Sequence, residues 1–490
     1  MPRAVAGLAG AALIIIGALG GSSPRADARP AGDRKTTTIA PGLTLTKLQK
    51  RHPKNRVRVL TLTPSSRLTL DVELANDTIP GHEHTSSMAR RNDAVAAING
   101  DYTLLPLAPG EGRPVNTFAE DGALITSPLI WGRNFAMSAD EQRAYFGHAR
   151  LTIEMLEVDV GKTWHIRKWN DNPPSHDNEG LFGYSKEGAQ LFKPLPDACS
   201  VRLYPTGQVS WGPDGAGVTR GYTVDQVKCS ENRLARRGGV VISTPRTDKQ
   251  AARIEQSFTP QEPVTITWSM KWVNVLDTIG GNPNVVENGA LAAGECPRSS
   301  YFCLRNPRTG VGVTADGQIL LVTVDGRQKK SKGMTLDEFG KLFQSLGATW
   351  ALNLDGGGST TMVVRDRIVN VPSGPERAVG SALLVLPGPD PDEPTPGPYQ
   401  SPTTIPTTIP TPTAIPTSLP SDPSWFVPRG DRSELPGCAS LSDPGSTGGM
   451  LDALARGGIT GRPVELPRSL RAALDVFRGT RGCAAQRFPL

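Results

Sequence analysis

Residues 351–364 place a carboxylate, three glycines and three hydroxyl residues in one short segment: Ala351-Leu352-Asn353-Leu354-Asp355-Gly356-Gly357-Gly358-Ser359-Thr360-Thr361-Met362-Val363-Val364. The apolar residues before Asp355 predict a buried strand over 349–354, and the hydroxyl residues begin the next strand. Glycines between the strands let the backbone approach a ligand, because no Cβ blocks it. We therefore predict that Asp355 lies in a functional site. The alternative is a Gly-rich hairpin in which Asp355 only forms an Asx-turn.

A capped helix is predicted directly before this strand. Thr335 and Glu338 have the spacing of a capping box, in which each side chain accepts a hydrogen bond from the backbone amide of the other. Apolar residues then recur with helical spacing as far as Leu346, and Gly347 is typical of a helix end. The pattern predicts a helix over 336–346.

A similar arrangement occurs near the N-terminus. A short helical segment precedes Asn92, a strand is predicted over 95–98, and Asn99-Gly100-Asp101 follows it. Both regions thus deliver an Asn-x-Asp at a strand end. We infer as a hypothesis that the two strand ends meet in one cleft. The alternative is that Asn and Asp simply favour turns after strands.

The fold class predicted for the main body is α+β, a mixed α/β arrangement with many strands and few helices. Strands are predicted over 57–62 and 68–74, around a turn at 64–66, and again over 264–268 and 318–324. The segment 164–239 is rich in Gly, Pro, Asn and Asp, so we predict an insertion over about 140–260 near the substrate cleft.

Five regions are predicted along the chain of 490 residues. Residues 1–28 have the charged, apolar and small-residue regions of a signal peptide, with a retained N-terminal anchor as the alternative. An N-terminal segment over 29–54 precedes a catalytic domain over 55–388. A Pro/Thr-rich linker over 389–423 should be extended. Residues 424–490 form a small helical module, and no later segment is apolar enough to span a membrane.

Six cysteines and no Cys-x-x-Cys spacing fit an oxidising, extracellular compartment. Their grouping along the chain favours nearest-neighbour disulfides. We predict the pairs Cys199 with Cys229, Cys296 with Cys303, and Cys438 with Cys483. The last pair would staple the C-terminal module, which is either a glycan- or cell-wall-binding module or a helical hairpin without separate activity.

The formal net charge of +6 and a pI near 9.0 favour anionic glycopolymers only modestly. No basic run with interleaved aromatic residues indicates nucleic-acid binding. His82 and His84 share one face of an extended segment but have no evident third metal ligand, so a solvated loop is the preferred interpretation. No cofactor is required by these residues. A divalent cation such as Ca²⁺ on the carboxylates stays open, and any metal ligand is unknown.

Six motifs lie in order along residues 55–388: 97–102 (Ala-Ile-Asn-Gly-Asp-Tyr), 279–283 (Ile-Gly-Gly-Asn-Pro), 308–312 (Arg-Thr-Gly-Val-Gly), 324–327 (Val-Asp-Gly-Arg), the run after 351, and Glu376-Arg377 before a last strand over 381–386. Their order resembles the phosphodiester glycosidase family, and the likeness is most specific over 275–385. Two positions depart from the family pattern: Asp101 stands where a small residue is common, and Asn282 interrupts a glycine-rich turn.

The resemblance and the chemistry of the reaction together imply roles for individual residues. Cleavage of a sugar from a phosphodiester develops positive charge at the anomeric carbon, so Asp355 and Asp101 are predicted to lie around the sugar. Arg308 is predicted to bind the phosphate by paired hydrogen bonds. Asp325 and Arg377 are further candidates. The predicted substrate-binding set is Asn99, Gly100, Thr309, Asp325, Asn353, Gly356, Gly357, Ser359, Thr360 and Arg377.

The function that follows is a secreted hydrolase acting on the glycosidic bond of a sugar-1-phosphodiester. Its substrate would be a glycophosphate or polysaccharide of the cell envelope or the extracellular space. The C-terminal module would serve for cell-wall attachment. The alternative function is a non-catalytic secreted protein that binds glycan or cell wall.

Overall fold

The computed structural model describes residues 34–389, 392 and 394–398, except for gaps at 64–66, 105–110, 130–131, 149, 172–179, 190–197, 230–238, 246–247 and 293–299. The predicted signal peptide, most of the linker and the C-terminal module lie outside the described residues. So do Cys296, Cys438 and Cys483. No helix within the described residues is long and apolar enough to cross a membrane.

Strands dominate the described part of the chain, which contains three short α-helices: α1 (Thr85–Arg91), α2 (Lys249–Ser257) and α3 (Leu336–Ser345). The strands are β1 (Arg34–Ala40), β2 (Leu43–Arg51), β3 (Lys54–Leu62), β4 (Leu68–Leu74), β5 (Glu83–His84), β6 (Ala96–Asn99), β7 (Phe118–Glu120), β8 (Ala123–Thr126), β9 (Arg133–Met137), β10 (Ala144–Gly147), β11 (Thr152–Glu157), β12 (Lys162–Trp169), β13 (Leu181–Tyr184), β14 (Ala198–Trp211), β15 (Ala216–Lys228), β16 (Val240–Pro245), β17 (Pro263–Val273), β18 (Thr278–Gly281), β19 (Asn284–Glu287), β20 (Ala290–Leu291), β21 (Arg308–Thr314), β22 (Ile319–Val324), β23 (Ala348–Asn353), β24 (Met362–Val364), β25 (Arg367–Ile368), β26 (Ala378–Val379) and β27 (Ser381–Pro387).

The predicted α+β class is wrong, because the middle of the chain forms a closed barrel. Seven strands between residues 152 and 273 close in the order β11-β12-β13-β16-β14-β15-β17. The long strands β14 and β15 run through the Gly- and Pro-rich segment for which the sequence predicts an insertion. Their pairing shifts register between Pro205 and Val209, and this irregularity accommodates residues that ordinarily weaken a strand.

Three further sheets surround the predicted site. One has eight strands in the order β1-β2-β3-β22-β21-β23-β19-β20, and two have five strands in the orders β25-β24-β6-β27-β4 and β10-β9-β18-β7-β8. Apolar residues from all three form one core, including Leu60, Ile98, Phe135, Leu352 and Leu383. The barrel has a separate core that contains Trp164, Trp169 and Trp268.

The barrel begins and ends at neighbouring positions of one sheet. Strand β9 (Arg133–Met137) lies before the barrel and β18 (Thr278–Gly281) lies after it, yet they pair directly, with Ile279 opposite Phe135. The barrel is therefore an excursion from a sheet whose own strands stay adjacent.

The disulfide predicted between Cys199 and Cys229 is confirmed. It joins the start of β14 to the residue that follows β15 inside the barrel. Cys303 is also disulfide-bonded. Its predicted partner Cys296 lies outside the described residues, so that pairing stays a prediction.

Helix α3 packs against Gly310 and Gly312 of β21. The capping box is confirmed, since the Glu338 amide donates to Thr335 Oγ1 at 3.3 Å and the Thr335 amide donates to Glu338 Oε2 at 3.1 Å. A Cβ on Gly312 would lie 2.9 Å from the ring of Phe343 and 2.9 Å from the Trp350 carbonyl oxygen. The helix therefore approaches the sheet closely because a side chain is missing at this position.

We expect Gly312→Ala to lower the free energy of unfolding by about 1–3 kcal/mol, because the added methyl group overfills the contact with Phe343. Denaturant unfolding measures the change. Gly374→Ala is the matched control, since a Cβ there meets nothing within 4 Å. Its effect should stay within about 0.5 kcal/mol. Equal losses in both variants would contradict the packing argument.

Candidate active site

The two Asn-x-Asp strand ends lie side by side. The Asp355 amide donates to the Gly100 carbonyl at 3.1 Å, and Asn99 Nδ2 donates to the Asp355 carbonyl at 2.8 Å. Gly100 is fixed in turn by its amide, which donates to the Ser381 carbonyl at 2.9 Å. The ends of β6 and β23 thus meet as the repeated sequence pattern predicts.

The fully buried amide of Asn99 connects this junction to two more strands. Its Oδ1 accepts from Thr309 Oγ1 at 2.8 Å and from the Thr361 amide at 3.1 Å. Thr309 lies on β21, and Thr361 immediately precedes β24. One side chain therefore fixes the relative positions of four chain segments.

The glycine run forms a tight turn above this junction. The Gly356 amide donates to Asp355 Oδ1 at 2.8 Å, so the Asx-turn contact is present, and the Gly357 amide donates to the Pro307 carbonyl at 3.0 Å. Gly357 has a φ of 64°, and a Cβ on Gly356 would lie 2.8 Å from the Pro307 oxygen. Both positions therefore require glycine.

Three buried polar atoms without a partner lie in the same region. Within the described residues, Asn353 Oδ1, Thr360 Oγ1 and Thr361 Oγ1 are buried and make no hydrogen bond. Such groups are costly to leave unpaired. Ser359 is also buried, and its amide donates to the Gly356 carbonyl at 3.2 Å. These atoms are available to a bound ligand.

The Tyr102 hydroxyl joins the predicted site residue Asn353 to Asn282, although the sequence analysis gave Tyr102 no role. Its hydroxyl donates to the Asn282 carbonyl at 3.0 Å and accepts from Asn353 Nδ2 at 2.5 Å. Burial raises the pKa of Tyr102 well above its ordinary value. The charges of Asp355 and Asp101 raise it further, while that of Arg308 lowers it. The one sequence feature that could have identified Tyr102 as a site residue is its position directly after Asn99-Gly100-Asp101.

Asp101 is buried against the loop that contains Asn116, to which the sequence analysis also gave no role. Its carboxylate accepts from the Tyr102 amide at 2.8 Å, from the Asn116 amide at 2.9 Å and from Asn116 Nδ2 at 2.8 Å. Burial nevertheless raises the pKa of Asp101 to about 7, because desolvation outweighs these hydrogen bonds. A Cβ on Gly280 would lie 2.7 Å from Asp101 Oδ2, so this glycine leaves room for the carboxylate.

Arg308 is held by backbone carbonyls. Its Nε donates to Met334 at 3.0 Å, and its Nη2 donates to Phe302 at 2.7 Å and to Leu304 at 2.9 Å. Burial lowers the pKa of Arg308 to about 10, so the guanidinium stays protonated at neutral pH. Its Nη1 makes no hydrogen bond within the described residues. That nitrogen is the part of Arg308 available to a ligand.

Two predicted residues lie in other surroundings. Asp325 Oδ1 accepts from the Val371 amide at 3.0 Å, and the cations that act on it are Arg58 and Arg56, although burial raises its pKa overall. Arg377 is half-buried beside Glu376, whose carboxylate accepts from the Ser86 amide at 2.9 Å at the start of α1.

His82 lies in a loop, as the sequence predicts, and His84 is exposed. His82 is partly buried, and burial lowers its pKa. No group of three His, Cys, Asp or Glu residues that could hold a metal ion occurs in the described residues.

Part of the chain matches a known family model. Residues 215–386 match the family model described as phosphodiester glycosidase. The predicted resemblance to this family is confirmed. The matched region includes Arg308, Thr309, Asp355 and the glycine run, and it also covers the end of the barrel.

Curated relatives match parts of the chain. The N-acetylglucosamine-1-phosphodiester alpha-N-acetylglucosaminidase of Bos taurus is 27% identical over 265 residues, which cover 46% of this chain and 50% of the bovine protein. The SPbeta prophage-derived uncharacterized protein YomE of Bacillus subtilis is 39% identical over 83 residues, 17% of this chain and 13% of that protein. The chain thus spans half or less of the length of these relatives.

Two solved structures share the fold. A hypothetical protein from Synechocystis superposes with a TM-score of 0.55 at 19% identity, covering 73% of this chain and 64% of the other. A putative exported protein from Burkholderia pseudomallei gives a TM-score of 0.50 at 23% identity, covering 68% and 74%. At these identities the likeness concerns the fold alone.

We expect Tyr102→Phe to lower the free energy of unfolding by about 1–3 kcal/mol, because the buried Asn282 carbonyl and Asn353 amide both lose a partner. Denaturant unfolding measures the loss. Tyr145→Phe is the control, because the Tyr145 hydroxyl donates one hydrogen bond, to the Val273 carbonyl at 3.0 Å, in half-buried surroundings. A loss at Tyr102 no greater than that at Tyr145 would contradict a stabilising role for the two hydrogen bonds of the Tyr102 hydroxyl.

Proposed function

We propose that the protein is a secreted hydrolase that cleaves the glycosidic bond of a sugar-1-phosphodiester in a cell-envelope or extracellular glycopolymer. The observation that carries this proposal is the junction of the two Asn-x-Asp strand ends, where the Asp355 amide donates to the Gly100 carbonyl directly before Asp101. The charges of Asp355, Asp101 and Arg308 all act on the neighbouring Tyr102. Two of these residues, Arg308 and Asp355, lie inside the matched family region.

The charge arrangement suits this reaction. Departure of the phosphate leaves positive charge on the sugar, which a buried carboxylate stabilises strongly because little water screens it. Asp355 is only 3% exposed and lies beside the glycine turn. A phosphate leaves as a stable anion, so it needs cationic and amide donors more than it needs a proton. Arg308 Nη1 supplies a cationic donor for it.

The unpaired polar atoms suit a sugar. Asn353 Oδ1 and the hydroxyls of Thr360 and Thr361 lack partners within the described residues, and sugar hydroxyls can both donate to and accept from such groups. The tight turn at Gly356 and Gly357 lets the backbone approach the same ligand. Asp101 accepts from the Tyr102 amide and, with its pKa of about 7, is a carboxyl that can hold or release a proton.

Export fits the Cys199–Cys229 disulfide, which persists in oxidising compartments. Attachment to the cell wall through residues 424–490 belongs to the same proposal.

The contrasting proposal is a secreted protein that binds glycan without hydrolysing it. The Gly356 amide on Asp355 Oδ1 is the contact that favours such a structural role for Asp355.

We expect Asp355→Asn to reduce turnover of sugar-1-phosphodiesters roughly 100- to 1,000-fold with the fold intact, because the change removes charge and keeps shape. The assay offers the purified mature protein a panel of sugar-1-phosphodiesters and measures free sugar and phosphomonoester separately.

Asp366→Asn is the control for this experiment. Asp366 lies exposed in the turn between β24 and β25 with a φ of 59°, a conformation that Asn also adopts readily. It should retain full turnover. Turnover of Asp355→Asn within threefold of the unaltered protein would remove Asp355 from the chemistry, and no hydrolysis by the unaltered protein would favour glycan binding.

We expect Arg308→Lys to weaken hydrolysis of sugar phosphodiesters more than hydrolysis of an activated aryl glycoside without phosphate. Lysine keeps the charge but cannot reproduce the planar donor set that holds carbonyls and phosphate together. Relative kcat/KM values on the two substrates measure the difference.

Arg305→Lys serves as the control, since Arg305 pairs with Glu338 at the surface, with Nη1 donating to Oε2 at 2.5 Å. Its kinetics should be unchanged on both substrates. Equal losses on both substrates in Arg308→Lys, together with a lower melting temperature, would assign Arg308 to the fold instead.

A further inference from the structure

A cavity of about 580 Å³ lies between the barrel and the strands that precede it. Its walls come from barrel strands β11, β12 and β14 to β17 on one side, and from β4, β7, β8 and α1 on the other. None of the residues predicted for the active site lines it. Its volume falls within the range of small-molecule binding sites.

The polar wall is built around two glutamates. Glu73 accepts from Asn92 Nδ2 at 2.5 Å and pairs with Arg91. Glu120 Oε1 accepts from the Leu74 amide at 3.0 Å. Burial raises the pKa of both carboxyls, and the charge of Glu73 raises that of Glu120 further. The oxygens of both carboxyls can accept hydrogen bonds from ligand hydroxyls.

Three cations line the cavity, Arg91, Lys186 and Arg220, and each already has a partner. Lys186 Nζ lies 3.5 Å from Glu187 Oε1. Arg91 pairs with Glu73, Asp77 and Glu83. Arg220 donates through Nε to the Gly122 carbonyl at 3.2 Å and through Nη2 to the Asp121 carbonyl at 2.5 Å. The arrangement therefore offers little to an anionic ligand.

The opposite wall is aromatic and contains a donor without an acceptor. Trp169 and Trp268 both line the cavity and are 4% and 3% exposed. Trp268 Nε1 donates to the Gly122 carbonyl at 3.0 Å, whereas Trp169 Nε1 has no acceptor within the described residues. A buried N–H without an acceptor is destabilising, and a ligand oxygen would relieve it.

We propose that this cavity binds a neutral saccharide unit. Aromatic side chains pack against the apolar face of a sugar ring, while carboxyls and the indole N–H bind its hydroxyls. The engaged cations and the carboxyl-rich wall exclude sugar phosphates and uronic acids. This site is separate from the hydrolytic site and does not rest on the proposed hydrolysis.

The chain after the last strand contributes to the same cavity. Asp392 and Pro394 line it, and the Gly397 amide donates to the Val209 carbonyl of β14 at 3.1 Å. The predicted Pro/Thr-rich linker thus starts at the cavity wall. A saccharide bound here would lie next to the point where the C-terminal region leaves the catalytic body.

Isothermal titration calorimetry on the full chain tests the proposal with glucose, galactose, N-acetylglucosamine and cellobiose, against glucuronic acid and glucose-1-phosphate. The binding assigned to this cavity is the component that Ala123→Phe removes, because the proposed hydrolytic site is intact in that variant and can bind sugar phosphates itself. In that component we expect saturable binding of at least one neutral sugar and weaker binding of its charged counterpart. Trp169→Phe keeps most of the ring and removes the donor, so it should weaken binding roughly two- to tenfold, the range of one neutral hydrogen bond.

Two further variants keep the test decisive. Ala123→Phe introduces a ring from β8 into the cavity and should abolish binding even if Trp169→Phe does not fold. Asp355→Asn should bind the neutral sugar as the unaltered protein does, which separates this cavity from the hydrolytic site. Absence of neutral-sugar binding, equal binding of charged sugars, or unchanged binding in Ala123→Phe would overturn the proposal.

Discussion

The buried amide of Asn99 is the interaction on which the candidate site depends. It donates to the Asp355 carbonyl and accepts from the Thr309 hydroxyl and the Thr361 amide. Asn and Gln are the only uncharged side chains that carry two donors and an oxygen with two lone pairs on one planar group. Because it is fully buried, each unpaired atom would cost free energy, so the four segments have one low-energy arrangement.

Burial then gives the charged residues properties that they lack in water. Asp101 keeps three hydrogen bonds and still has a raised pKa, whereas Arg308 stays protonated with a lowered one. Both effects come from the same loss of hydration. The backbone carbonyls of Met334, Phe302 and Leu304 fix the guanidinium, so its orientation does not depend on a substrate. Such preorganisation is what electrostatic catalysis requires.

Local sequence patterns predicted the local parts of this structure. The capping box at Thr335, the strand before Asp355 and the Cys199–Cys229 disulfide depend on residues close in sequence or on simple pairing, and all three are present. Tyr102 was missed because its hydroxyl partners, Asn282 and Asn353, lie 180 and 251 residues away. The barrel was missed because its closure joins β11 to β17, a pairing that periodicity does not encode.

The direct pairing of β9 with β18 across the barrel has a consequence for how the chain folds. Phe135 meets Ile279 only after the whole intervening segment has been made and has brought its ends together. Closing so long a loop is entropically costly unless that segment is already compact. The barrel should therefore form first during synthesis, and the sheet that supports Asp101 should be completed late. A defect inside the barrel would then act on the distant active site through the yield of folded protein rather than through its chemistry.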